Sequence, residues 1–393
     1  MFKKHIAILG FALMTIGVQA QDNLINKVKN NGTEGVEDKF GFEVIINNEA
    51  TSVKNQGRSG TCWSYSGNSF LESEILRKTG KSVDISEMYV VRKVYEVKGE
   101  KYIRMHGNLN FGQGGALHNP IDVLKEFGAV PEDTYLGLLP GQKVNNHGEF
   151  EAVLKGILDA VLKNNNGEIT TAWKNAYNGA IDAYLGEDVK DFTYEGKKYT
   201  PKSFAKDVLK IDANDYAEFT SMSDKPYNEK VFVEVPDNWS YGLSYNVELD
   251  DMTSIVDKAL KDGYTVAWAT DVSEKGFNIR NGVAIVPAID FKDMTADEKA
   301  TMFDGPKTEK VITADLRQHG YDNWTTTDDH GMHITGLAKD KNGNEYYIVK
   351  NSWGTKYNNG YLYVSKAFFK YKTISFMLDK NALSKSMKKK LNI

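Results

Sequence analysis

Apolar positions along the chain follow three rhythms, and each predicts a different kind of element. From Trp63 to Arg77, Phe70, Leu71, Ile75 and Leu76 fall at helical spacing among Glu72, Glu74 and Arg77. The same spacing links Phe150, Val153, Leu154, Ile157, Leu158, Val161 and Leu162, and a helical pattern continues from Trp173 to Leu185. A second rhythm is two apolar runs, 330–338 and 345–350, separated by Lys339-Asp340-Lys341-Asn342-Gly343-Asn344, which predicts a hairpin. The third is unbroken: Ile6 to Val18, behind Lys3, Lys4 and His5 and ahead of a small residue at Ala20. That is the pattern of a secretory signal cleaved after Ala20, too short to span a bilayer comfortably. With no cysteine near that point for a lipid anchor and no second apolar stretch of that kind, the expectation is a soluble protein exported to the periplasm or the extracellular space.

Composition narrows the class. The 393 residues are 41% hydrophobic and 26% charged, a globular balance that excludes disorder and a multi-spanning membrane protein. Lys and Arg number 49 against 53 Asp and Glu, so no basic field invites nucleic acid. A single cysteine excludes an internal disulfide framework and a zinc cluster of Cys ligands. The chemistry therefore centres on one thiol. Cys62 closes the loop Asn55-Gln56-Gly57-Arg58-Ser59-Gly60-Thr61 at the predicted N-terminus of the Trp63–Arg77 helix. There, free backbone N–H groups and the helix dipole favour a thiolate, the nucleophilic form. The alternative is a small buried hydrophobe.

A nucleophilic thiol needs a base, and the base an orienting partner. His106, His118, His147 and His319 lie in glycine- or asparagine-rich sequence and are expected to be solvated, while His5 leaves with the signal. His330 and His333 open the predicted hairpin, and Asn351-Ser352-Trp353-Gly354 follows its second strand. The hairpin brings a histidine near 330 beside Asn351, whose amide can hold an imidazole in one tautomer. No zincin spacing with a glutamate occurs, so no metal or other cofactor is expected.

Together, Gln56-x5-Cys62-Trp63, the Gln113-Gly114-Gly115 element, a distant histidine and Asn351-Ser-Trp353-Gly resemble the papain-like cysteine peptidases. The resemblance implies an α+β fold of two lobes, one helical and one β-rich, with the cleft between them. It implies Cys62 as nucleophile, His330 as its acid–base partner in a thiolate–imidazolium pair, and Asn351 as the group orienting His330. Gln56 and the Cys62 N–H would form the oxyanion hole. Gly114 and Gly115 would admit and pair substrate backbone, with Asp329 and Trp353 also among the substrate-binding residues, Trp353 covering the His330–Asn351 bond. His330 is chosen over His333 because Gly336 lies six residues after it, as in family members.

The separations 62 to 330 and 62 to 351 exceed the roughly 130–150 residues of the family signature. This, with the shortage of cysteines and Thr326-Thr-Asp-Asp-His330-Gly-Met332, resembles the bleomycin hydrolase and bacterial aminopeptidase C branch. The division implied is a signal at 1–20, an N-terminal arm and helical lobe at 21–136, a helical insertion at 137–225, a β-rich lobe at 226–378 and a C-terminal arm or tail at 379–393. The branch implies peptide substrates and an aminopeptidase whose C-terminal arm lies in the cleft and holds the substrate's α-ammonium with its terminal carboxylate. The chain departs from that pattern in ten further residues carrying Lys385, Lys388, Lys389 and Lys390. An endopeptidase, an acyltransferase using the same residues, a non-catalytic peptide-binding homologue and a homo-oligomer stay open. The 30-odd residues before the first motif are too few for a long inhibitory propeptide.

Overall fold

Thr61 stops short of helical geometry, so helix α1 (Cys62–Thr79) begins at the thiol itself and ends at Gly80, whose φ of 69° only glycine adopts freely. The described residues are 38–164 and 167–393 of a computed structural model; the predicted signal lies outside them. Helix α1 is buried without a break from Cys62 to Ile75, more completely than an amphipathic stripe requires. Small residues make this possible: a Cβ on Gly67 would stand 2.6 Å from the Pro120 ring. Against it pack α2 (Glu87–Arg104), N-capped by Ser86, and α3 (His118–Glu126), while α4 (Gly148–Lys163) and α5 (Ala172–Leu185) pair with each other and pack on α2. Phe70, Ile75, Val91, Tyr95, Leu154, Tyr177 and Ile181 belong to this first core.

The strands are β1 (Glu43–Asn47), the hairpin β2 (Phe192–Tyr194) and β3 (Lys197–Tyr199), β4 (Tyr216–Thr220), β5 (Lys230–Phe232), β6 (Leu243–Asn246), β7 (Val266–Thr270), β8 (Phe277–Asn278), β9 (Val283–Ala284), β10 (His330–Lys339), β11 (Glu345–Lys350), β12 (Tyr361–Ser365) and β13 (Thr373–Asp379). All but β2 and β3 form one sheet in the order β5-β6-β4-β13-β7-β10-β11-β12-β9-β8. Strand β10 has two partners on one edge: β7 beside its first half and β1 beside its second. The changeover falls near Gly336, where any Cβ would meet the Ile46 carbonyl at 2.1 Å. That crossing is the physical reason for a glycine six residues after His330.

The sheet divides the molecule. On β7, Ala267 and Ala269 face the first core, while Val266 and Trp268 face a second, as the two-residue repeat of a strand dictates. Helix α6 (Leu249–Lys261) and the Phe368–Phe369 pair of α8 (Lys366–Lys372) fill the second core. Between them in sequence, α7 (Ala314–Asp322) buries Arg317, which donates to the Ser221 and Lys370 carbonyls. The 137–225 segment contributes α4, α5 and the β2–β3 hairpin, but also β4, whose fully buried residues join the main sheet between β6 and β13. The tail is neither a cleft-bound arm nor loose. Ser384 caps α9 (Lys385–Leu391), and Met387 and Leu391, four apart, enter the second core while Lys390 pairs with Asp251 of α6 at 2.7 Å.

Candidate active site

Position explains the state of the α1 N-terminus. Ser64 and Tyr65 N–H groups both turn back to the Thr61 carbonyl, and Thr61 caps nothing with its side chain. The N–H groups of Cys62 and Trp63 therefore have no acceptor within the helix and face whatever stands before it. The preceding loop is held by its own side chains. Gln56, fully buried, donates from Nε2 to the Ser59 carbonyl at 2.7 Å and accepts from Ser352 Oγ at 2.6 Å. Gln113 ties the glycine loop to the thiol loop, accepting from Gly60 N–H at 2.7 Å through Oε1 and from Trp63 Nε1 at 2.9 Å through its carbonyl. Its amide is fixed in turn by Glu151 at 2.9 Å.

Strand β10 lies across the first turn of α1. A Cβ at Gly331 would approach Ser66 Oγ to 2.7 Å and the Cys62 carbonyl carbon to 3.4 Å, so only glycine fits this crossing without displacement. The Gly331 N–H points at the thiol sulfur. One residue earlier, His330 Nε2 donates to Asn351 Oδ1 at 2.8 Å, which places the ring proton on Nε2 and leaves Nδ1 with a lone pair and no hydrogen-bond partner. Asn351 Oδ1 is itself held by the Ser352 N–H at 2.7 Å. Trp353 covers the imidazole, ring centroids 4.4 Å apart. His333 points elsewhere: its Nδ1 meets Ser69 Oγ at 2.9 Å, and Ser69 also receives Lys350 Nζ at 2.7 Å. Cys62 and His330 are 7% and 2% exposed, and burial shapes both titrations. It pushes the thiol up to about 12, with the charges of Asp237, Asp328 and Asp329 adding to the effect and the Gly331 N–H opposing it. It pulls the imidazole down to about 4, against the Asn351 bond. Each group resists ionising alone; moving the proton from sulfur to Nδ1 charges both at once with opposite signs.

The glycine loop differs from its sequence reading. The space a Gly114 side chain would take holds the Asp237 carboxylate, its oxygens 2.0 and 2.2 Å from that point, and Gly115 is crowded by Trp63 and Asn119 at 2.9 Å. The Gly114 and Gly112 carbonyls accept from the buried Lys98 ammonium at 2.6 and 2.9 Å. These glycines are required by packed neighbours, and Gly114 is not an open platform. Asp329, expected to touch substrate, accepts instead from the Val272 and Ser273 N–H groups at 2.8 and 3.2 Å; turned into that loop, its carboxylate is already satisfied. Two histidines expected to be solvated are not. His147 is 3% exposed with neither ring nitrogen partnered, and His118 sits between Glu218 at 2.8 Å and Ser240 at 2.6 Å. Gly331, Asp237 and Asp328 were missed from sequence. Gly331 was findable as the residue adjoining His330, but Asp237 carries no local signal. Among the described residues no cluster of His, Cys, Asp or Glu could hold a metal ion, and no helix is long and apolar enough to cross a membrane.

A thiol on a helix N-terminus, an imidazole delivered by a crossing strand and an amide on its far nitrogen, set between a helical core and a sheet, define the papain class of architecture. The comparisons agree. Residues 183–393 match the Peptidase C1-like family and residues 42–136 the papain family of cysteine proteases. The chain belongs to the Peptidase C1-like family. It is 24% identical to Aminopeptidase C of Listeria monocytogenes over 90% of this chain and 86% of that one. Aminopeptidase G of Lactobacillus delbrueckii is 22% identical over 87% of this chain and 84% of its own. The fold superposes on the crystal structure of PepW from Lactobacillus rhamnosis with a TM-score of 0.69 at 19% identity, covering 95% and 91% of the two chains.

Proposed function

We propose that this protein is an exported cysteine aminopeptidase that removes residues from the free N-termini of peptides. The observation that carries the reading is the Gly331 N–H on the Cys62 thiol beside His330, whose Nε2 is held by Asn351 and whose Nδ1 is free to take a proton. Substrate binding brings a peptide carbonyl over the α1 N-terminus. Cys62 Sγ passes its proton to His330 Nδ1, and the thiolate, held by the Gly331 N–H, attacks the carbonyl carbon. The oxyanion lies against the Cys62 N–H and the second N–H of Gln56 Nε2, whose first is occupied by Ser59. His330 returns the proton to the leaving amine, giving a thioester and a shortened peptide. Water, deprotonated by His330, then releases the first residue and restores the thiol. Asn351 keeps the imidazole in the tautomer this requires, and Trp353 screens that bond from water.

Removal of N-terminal residues, as opposed to internal cleavage, is supported by the names of the relatives and by a carboxylate standing over one end of the glycine loop. Export is supported by the Lys3 to Ala20 pattern. The endopeptidase reading draws on one observation, the removal of the C-terminus to the second core. Paired peptides, free and N-acetylated, assayed under reducing conditions with wild type and Cys62→Ala, separate the cases. Stepwise release from the free peptide alone supports the proposal. Internal cleavage of both peptides refutes it, and equal inactivity of wild type and variant refutes a peptidase altogether.

A further inference from the structure

An enzyme that trims free N-termini must meet a buried-in-the-cleft α-ammonium with a negative group. The segment after Leu383 is badly placed for this: α9 anchors Met387 and Leu391 in the second core, across the sheet from the core that contains α1. We propose that Asp237, together with Asp328, receives the substrate's α-ammonium group, so that an internal loop makes the cleft specific for free N-termini. The assignment rests on the aminopeptidase reading above.

Four observations support it. Asp237 fills the place of the missing Gly114 side chain, so a longer substrate running past that point would have to displace it. Its Oδ1 accepts from Asn110 Nδ2 at 3.2 Å, and Oδ2 accepts from none of the described residues. Lys98, the nearby cation, aims its ammonium at the Gly112 and Gly114 carbonyls and makes no ion pair with the aspartate. Asp328 likewise has no hydrogen-bond donor among the described residues; the charge of Asp237 is felt at Asp328, and the charges of both are felt at Cys62. Burial raises both carboxyls, Asp237 to about 6 against the opposing charge of Lys98, so a substrate ammonium in direct contact would stabilise their charged forms further.

The loop carrying Asp237 is rigid, as a recognition group needs to be. Asn238 Nδ2 donates to the Val233 and Gly242 carbonyls at 3.1 and 3.0 Å, and its Oδ1 accepts from Gly242 N–H at 2.9 Å. Ser240 Oγ is fixed by His118 at 2.6 Å and Asn119 at 2.9 Å, and its carbonyl by Lys101 at 2.9 Å. The Lys98 and Lys101 ammoniums cover Trp239 at 5.0 and 5.6 Å from the ring centroid. The His118–Glu218 pair, unexplained by the peptide chemistry, is thus part of the scaffold that presents the aspartate.

The test uses the full chain and three fluorogenic amides: alanyl, N-acetylalanyl and propionyl, the last an isostere lacking only the amine. Wild type should favour the alanyl compound over the propionyl one in kcat/KM. Asp237→Asn should reduce that ratio about tenfold to a hundredfold, chiefly through KM, as expected for losing one charge-assisted contact. Gly114→Ala, whose Cβ would evict the carboxylate, should reduce it similarly, and serves if Asp237→Asn folds poorly by thermal melting. Three glycines appended to Ile393 should leave the ratio unchanged. A ratio that survives both substitutions overturns the assignment, as does one abolished by the glycine extension, which would name the chain terminus as receptor. Equal turnover of all three amides by wild type would instead overturn the aminopeptidase reading itself.

Discussion

Replacing Gly331 with alanine adds one methyl group where β10 crosses the first turn of α1. That carbon would lie 2.7 Å from Ser66 Oγ, 3.3 Å from Trp63 Cα and 3.4 Å from the Cys62 carbonyl carbon. Ordinary carbon contacts begin near 3.5 Å, so β10 must lift from α1 by roughly 1 Å, or Ser66 must turn away. Overpacking of this kind costs about 1–3 kcal/mol in stability. The functional effect is separate, because the lift also pulls the Gly331 N–H from the sulfur. A hydrogen bond to a charged group contributes about 1.5–3 kcal/mol, which is one to two pKa units on the thiol. Gly331→Ala should therefore lower kcat/KM on an alanyl amide about tenfold to a hundredfold. The pH at which iodoacetamide alkylates Cys62 at half its maximal rate should rise by the same one to two units. Adding Ser66→Ala removes the 2.7 Å contact, leaving neighbours at 3.3 Å and beyond, and should recover most of both losses. Unchanged alkylation in Gly331→Ala, or a double variant no better than the single one, would show that the crossing does not control the thiol.

Asn351→Ala strips the Nε2–H of its 2.8 Å acceptor and should lower kcat by about tenfold to a hundredfold with KM nearly unchanged, read from steady-state kinetics on the alanyl amide. Since His330 must be neutral to accept the thiol's proton, and burial holds it near 4, the acid limb of kcat/KM should fall near pH 4 and not near 6.5. His147, also drawn down to about 4 by burial, stays neutral in the fold while the unfolded chain binds a proton below about 6.5. Its contribution is therefore complete above that pH and lost as pH falls toward 4, by about 3 kcal/mol. In urea titrations at pH 7 and pH 4.5, His147→Phe should lose less stability on acidification than wild type. Met387→Ala should destabilise by about 2 kcal/mol or more in the same assay if α9 is integral to the second core.

The site was legible where its logic is local. Cys62 begins its helix because a glycine-punctuated loop precedes a helical pattern, and a hairpin of fixed length sets Asn351 beside His330. Both follow from spacing within about 20 residues. The rest depends on elements that meet from afar. Asp237 stands on Gly114 across 123 residues of sequence, and nothing in Val235-Pro-Asp-Asn-Trp239 announces it. His118 and His147 lie in polar, glycine-containing text that looks solvated, yet one is met by a loop near 240 and the other is buried with its ring edge-on to Phe150. The lysines of 385–390 mask an apolar pair at 387 and 391 that needs the exposed flank of α6 to become visible as a core contact.

Strand β10 holds together parts of the chain made at very different times. Its second half needs β1, laid down at residues 43–47, while its first half needs β7 and its far edge β11. During synthesis the thiol helix emerges almost 300 residues before Asn351. A chain that stops short of residue 351 therefore carries the thiol without the amide that orients its base, and β10 without the strand on its far edge.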